Sequence, residues 1–195
     1  MTLPGRANAD EAVVFAWRSL PARHKQLLES IGASQWQVVR TPLGTAANEF
    51  LESAGERLWL PAVRRDADRA FGVWIRELRI VLIRDGHPKL AGLNDATLEE
   101  FIARVAWHEW GHALSIERCP PEPLGQGRRL LELAPPGIGE RIREAGYRVQ
   151  DYTHEVIAET YALLMLRRIK GGTGKPSWLD DEIYGLMQTT IDWTD

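Results

Sequence analysis

The stretch Trp107–Leu114, WHEWGHAL, places two histidines four residues apart, with a glutamate directly after the first. In an α-helix each residue turns about 100° and rises about 1.5 Å. His108 and His112 then project from one face, one turn apart, where their ring nitrogens can bind one ion. Glu109 lies beside that face, aimed at the place of a metal-bound water. Zinc brings such a water near neutral pKa, and a carboxylate close by can take its proton. This is the mechanics of the H-E-x-x-H pattern, with His108 and His112 as ligands and Glu109 as base.

The competing reading is a pair of core histidines. The segment FIARVAWHEWGHALSI has only Arg104 and Glu109 as formal charges, and a helix apolar on most sides is buried. Two histidines and a carboxylate there are costly unless something pairs them. Gly111, a poor helix former, sits between the histidines and points to a close approach by a neighbouring strand or helix.

Catalytic zinc takes three protein ligands and keeps one position open. A metzincin needs a glycine three residues, and a histidine six residues, after the second histidine; those positions hold Ser115 and Arg118. Asp181, in DDEIYG, is a distant aspartate option. The stronger candidates are Glu155 and Glu159 in HEVIAETYALLM, which share a helix face. One can bind zinc while the other holds a histidine N–H. The alternative is two acids on a solvated face, and Glu155 is favoured in a first helical turn in any case. Against it, Val156, Ile157, Ala158, Ala162, Leu163, Leu164 and Leu166 make this segment largely apolar.

HEWGH followed downstream by EVIAETYALL resembles the gluzincins, zinc peptidases with H-E-x-x-H plus a later glutamate. Within them the chain most resembles the protease domain of anthrax lethal factor and its bacterial relatives. The likeness spans 97–170, and reaches the N-terminal half only through LPARHKQLLESIGASQWQVV. It implies a zincin-like fold, one Zn2+ per chain on His108, His112 and Glu155, Glu109 as general base, and Glu159 holding a ligand histidine. It also implies a tyrosine ahead of the glutamate ligand that assists the oxyanion. Tyr147 is eight residues before Glu155 and Tyr152 three before; Tyr147 is preferred, although its spacing departs slightly from the family's. The expected activity is metalloendopeptidase cleavage of a peptide or protein substrate. The second motif also suits the minimal gluzincins related to the ImmA/IrrE regulatory proteases, which gives the alternative of a zinc regulator acting by partner binding. A structural zinc domain, its fourth position closed by protein, is the other alternative.

The elements that must position these residues follow from periodicity and breakers. Residues 11–31 have helical spacing, interrupted near Pro21. WQVVRT (36–41) reads as a strand stopped by Pro42. Residues 43–70 are ambiguous, loop with short helix. The region 71–84 is the best strand region. Its RIVLIR run is a candidate cleft strand that pairs with extended substrate. Residues 93–119 are the strongest helix, with Thr97 and Glu100 as a capping box and Pro120 and Pro121 as its end. Pro- and Gly-rich turns flank a short helical piece, then come a helix over 153–170 and one more in 177–195. Strands ahead of helices suggest α+β.

The chain of 195 residues fits one domain, 1–195, with 1–10 as a loose end. Its 26% charged and 44% hydrophobic residues are those of an ordinary globular protein. A net charge of −3 gives no footprint for nucleic acid or an anionic membrane. The apolar stretches are too short to span a bilayer. Cys119, the single cysteine, cannot form an intrachain disulfide and reads as an inert thiol. No signal-peptide pattern opens the chain, so the expected location is the cytoplasm or export without a Sec-type signal. Most of the eight tryptophans should be core, some lining a groove. His24 reads as surface, His87 as a turn residue, and His154 as exposed or hydrogen-bonded and not a ligand.

Overall fold

A computed structural model of the protein describes residues 9–85, 87–90, 93–118 and 124–194. The expected helix stop at Pro120–Pro121, the Cys119 thiol and most of the loose N-terminal end lie outside these residues. In chain order the elements are α1 (Ala9–Ser19), α2 (Ala22–Ser30), β1 (Gln35–Val39), α3 (Leu43–Ser53), α4 (Pro61–Ala67), β2 (Gly72–Ile75), β3 (Ile80–Arg84), α5 (Asp95–Arg118), α6 (Leu124–Leu133), α7 (Ile138–Glu144), α8 (Tyr152–Ile169) and α9 (Asp181–Ile191). The architecture is α+β, helix-rich with one small mixed sheet. Among the described residues no helix is long and apolar enough to cross a membrane.

The sheet order is β1-β3-β2. β3 runs parallel to β1, Val81 opposite Trp36, and antiparallel to β2, Val81 opposite Trp74. Alternation divides its side chains. Val81, Ile83 and Trp74 join the main core with α5, α1 and α8, whereas Leu82 and Ile75 face Leu43, Ala47 and Leu51 of α3. The expectation that RIVLIR lines the cleft is corrected. β3 is flanked on both sides, so its backbone is committed to neighbours; β2 is the edge strand that lies against α5.

α5 runs through the middle of the molecule. Ala106, Trp107, Trp110, Ala113 and Leu114 are fully buried, as an all-round apolar helix requires. The Trp107 indole N–H donates to the Ala16 carbonyl of α1 at 3.0 Å. Trp110 sits in a cluster with Trp17 and Trp36, at centroid distances of 5.2 and 6.0 Å. The helix start differs from the expected capping box. Asn94 accepts from the Thr97 N–H and from its hydroxyl, both at 2.9 Å, so Asn94 is the cap and Thr97 lies inside the first turn.

One open region is resolved and one expectation, that for His24, is revised. Residues 43–70 hold α3 and α4; Pro42, which stops the strand, precedes the first residue of α3, and Pro61 opens α4, where a missing N–H costs nothing. His24 is buried, 1% exposed, with Nδ1 3.0 Å from the Tyr161 hydroxyl. The break at Pro21 turns the α2 face carrying His24 and Leu28 inward. Burial pushes the His24 imidazole down to about 4, so it is neutral at physiological pH. His87 is also largely buried, its ring 4.2 Å from that of Phe71.

α8 packs on α5 through Gly111. A Cβ there would lie 2.8 Å from the Ala158 Cα and 3.3 Å from the Tyr161 Cβ. The neighbour anticipated from Gly111 is thus α8, the helix carrying Glu155 and Glu159. Gly→Ala in a helix interior ordinarily gains about 1 kcal/mol. Here Gly111→Ala is expected to destabilise by about 1–3 kcal/mol through overpacking against backbone, read by urea or thermal unfolding. A stabilised variant would refute the close packing.

Candidate metal centre

The centre lies at the α5–α8 contact. His108 and His112 project from α5 as the one-turn spacing demands, and Glu155 meets them from the first turn of α8. Nε2 of His108 and Nε2 of His112 are 2.9 Å apart. Glu155 Oε1 is 3.3 Å from His112 Nε2, and Oε2 is 3.7 Å from His108 Nε2. Among the described residues these form the one group of three or more His, Cys, Asp or Glu whose donor atoms converge within 4.8 Å. A tetrahedral shell with bonds of about 2.0–2.1 Å has edges of roughly 3.4 Å. The observed separations bracket that value, and two imidazoles with a carboxylate are a zinc donor set, so the residues present fit the ion.

Electrostatics tie the three together. Burial works against a charged His112, but the Glu155 carboxylate beside it, helped by Glu109, brings it up to about 9. Burial likewise works against a charged Glu155, and the facing histidines hold it below the usual carboxylate range. His108 is pushed down to about 3, by burial first and then by the His112 charge.

Glu109 is 6% exposed and stands outside the three-donor group. Burial raises its carboxyl to about 7, and the Trp74 backbone N–H, donating to it, works in the opposite sense. Edge strand β2 makes room for it. A Cβ on Gly72 would lie 2.7 Å from Glu109 Cγ and 2.8 Å from Oε1, so only glycine fits at this point of the strand.

His108 and Glu109 line one cleft of about 290 Å3, walled by Phe71, Gly72, Phe101, Val105 and Ile142 and reaching Glu155 and Glu159; His112 lies behind it. Tyr147 lines it; Tyr152 does not. Burial, then the nearby carboxylates of Glu155 and Glu109, hold the Tyr147 phenol well above its ordinary value. Tyr152 opens α8 and packs, half-buried, against the main core. Glu159 faces His108, with Oε1 3.9 Å from Nδ1, beyond a direct hydrogen bond, and its Oε2 accepts from Arg104 at 2.9 Å and Arg141 at 3.2 Å. His154 contacts Ser115, Nδ1 to Oγ 3.1 Å, and takes no part in the donor group. Asp181 pairs with Lys175 at the start of α9, away from the centre. No tryptophan lines this cleft; Trp178 lines a separate groove beside Pro135 and Leu166.

Sequence reasoning missed Arg104, Arg141, Phe71, Phe101 and Gly72. Arg104 had a signal, since it stands one turn before His108 on the same face. Arg141 arrives on α7, and nothing in its spacing announces it. No known protein family, curated protein or solved structure matches the chain.

Proposed function

We propose that the protein is a zinc metalloendopeptidase with a zincin-like fold, its ion held by His108, His112 and Glu155. The observation that carries this reading is the convergence of three donors, and no more among the described residues, at the edge of a cleft that also holds Glu109. A structural site closes its fourth position with protein; a catalytic one leaves it open.

When bound, zinc acidifies a water and polarises a carbonyl. Glu109, buried beside the donors, takes the proton of the attacking water and delivers it to the leaving amine. The Tyr147 hydroxyl, in the same cleft, donates to the oxyanion as the carbonyl becomes tetrahedral. Glu159, held by Arg104 at 2.9 Å, places its carboxylate 3.9 Å from the outer nitrogen of His108. Phe71, Phe101 and Val105 exclude water from one wall of the cleft.

Protein purified without chelator is expected to contain about one equivalent of zinc by elemental analysis, the content of a mononuclear site. Less than about a tenth, with no uptake from added zinc, would count against the whole reading. The activity itself is tested by incubating zinc-loaded protein with a complex peptide library and reading new termini by mass spectrometry. Cleavage at a consistent set of bonds is expected; zinc binding without cleavage would favour a regulator that acts by partner binding.

A further inference from the structure

Glu159 stands one turn beyond Glu155 on α8, and two guanidinium groups close on the same oxygen of it. Arg104 comes from α5, one turn before His108, and Arg141 from α7. Both line the cleft with His108, Glu109 and Tyr147. Their side chains are 28% and 48% exposed, so each reaches the solvent-filled space.

One arginine would be enough to hold Glu159. Two positive charges on one carboxylate leave the pairing incomplete. Each guanidinium has five N–H donors. Among the described residues Arg104 uses its donors on Glu159 alone, and Arg141 adds only a 3.3 Å bond from Nε to the Gly137 carbonyl. Phe71, Phe101, Val105 and Ile142 form the neighbouring wall. Such a wall lowers the local dielectric and strengthens a charge pair made against it.

We propose that Arg104 and Arg141 form an anion subsite that receives a single carboxylate of the substrate, next to the reacting bond on the Glu159 side of the cleft. The proposal deepens the peptidase reading and rests on it for what the substrate is. Charge selects the ligand. Zinc on the three donors would balance Glu109 and Glu155, and Glu159 cancels one guanidinium, which leaves one positive charge. A monoanionic carboxylate matches that surplus, whereas a phosphate dianion exceeds it. The planar fork of arginine also suits carboxylate oxygens. The carboxylate has two sources, an Asp or Glu side chain or the free C-terminus of a peptide.

The test is calorimetric binding to zinc-loaded protein of short Ala- and Phe-based peptides blocked at both ends. They carry one Glu or one Gln at each position in turn, and a parallel Gln series has a free C-terminal carboxylate. The same samples are read for cleavage by mass spectrometry. A carboxylate-bearing peptide is expected to bind about tenfold or more tightly than its neutral partner, the scale of a hydrogen bond to a charged group. Arg141→Gln should erase that preference while leaving neutral peptides, zinc content and melting temperature unchanged, and Arg104→Gln should erase it as well. Arg141, the more exposed, is the variant least able to disturb folding. A Glu-over-Gln preference assigns the side chain; a preference confined to free C-termini assigns chain-end recognition. Equal binding of acids and amides, no binding of any peptide, or a preference that survives both substitutions overturns the subsite. Charge-selective binding without cleavage sinks the peptidase reading and leaves the subsite standing; cleavage with no charge preference does the reverse.

Discussion

Glu109→Gln is expected to lower peptide hydrolysis by at least about 100-fold, the scale of general base catalysis, with zinc content unchanged. Glutamine keeps the shape, so the contact with Gly72 survives, and its amide oxygen can still accept from the Trp74 N–H. It cannot take a proton from water. Glu109 also lies outside the three-donor group, so its charge is not needed to hold the ion. Glu155→Ala is expected to do the converse first. It removes an oxygen 3.3 Å from His112 Nε2. Zinc affinity should fall by more than the roughly 10–100-fold typical of losing an outer hydrogen-bond partner of a ligand. Zinc titration and a cleavage assay on both variants separate the roles. Loss of zinc in Glu109→Gln with retention in Glu155→Ala would reverse them.

The donor geometry was legible in sequence where one helix sets it. The i, i+4 spacing of His108 and His112 fixes both rings on one face without any tertiary information, and the glycine between them announced a close neighbour. Glu155 and Glu159 were legible as a pair by the same rule. Which of them meets the histidines depends on how α8 lies across α5, set by the contact of Gly111 with Ala158. Arg141 and Phe71 were not legible. They reach the cleft from α7 and from the residue before β2, and long-range packing leaves no mark at their own positions. His24 was misread because a lone histidine on a polar helix looks solvated; its burial follows from Tyr161 and Trp193, far along the chain, whose rings are 5.5 and 5.6 Å from its own. The α3–α4 region stayed ambiguous because its apolar spacing is weak, although Pro42 and Pro61 each stand where proline favours a helix start.

Tyr147→Phe is expected to lower the turnover number by about 100-fold, the loss of roughly 3 kcal/mol that removal of one oxyanion donor brings. The Michaelis constant should change little, because the charge it stabilises exists only as the transition state forms. The cleft contains Tyr147 and not Tyr152, and the Glu155 carboxylate lines the same cleft. A phenol is protonated at neutral pH, and burial with neighbouring carboxylates pushes this one further up, so it acts as a donor. It is also 41% exposed as a residue and precedes α8, with no helical backbone bonds to break if its side chain turns towards a substrate. Tyr152 lies in the first turn of α8 with its ring against the core; losing its hydroxyl should leave turnover and zinc content unchanged. Both variants are compared with the parent on one cleaved peptide, with zinc measured in each. Full turnover in Tyr147→Phe with a loss in Tyr152→Phe would move the role to Tyr152. Full turnover in both would leave the oxyanion without a phenol donor, and the stabilisation would have to come from the ion and a backbone N–H.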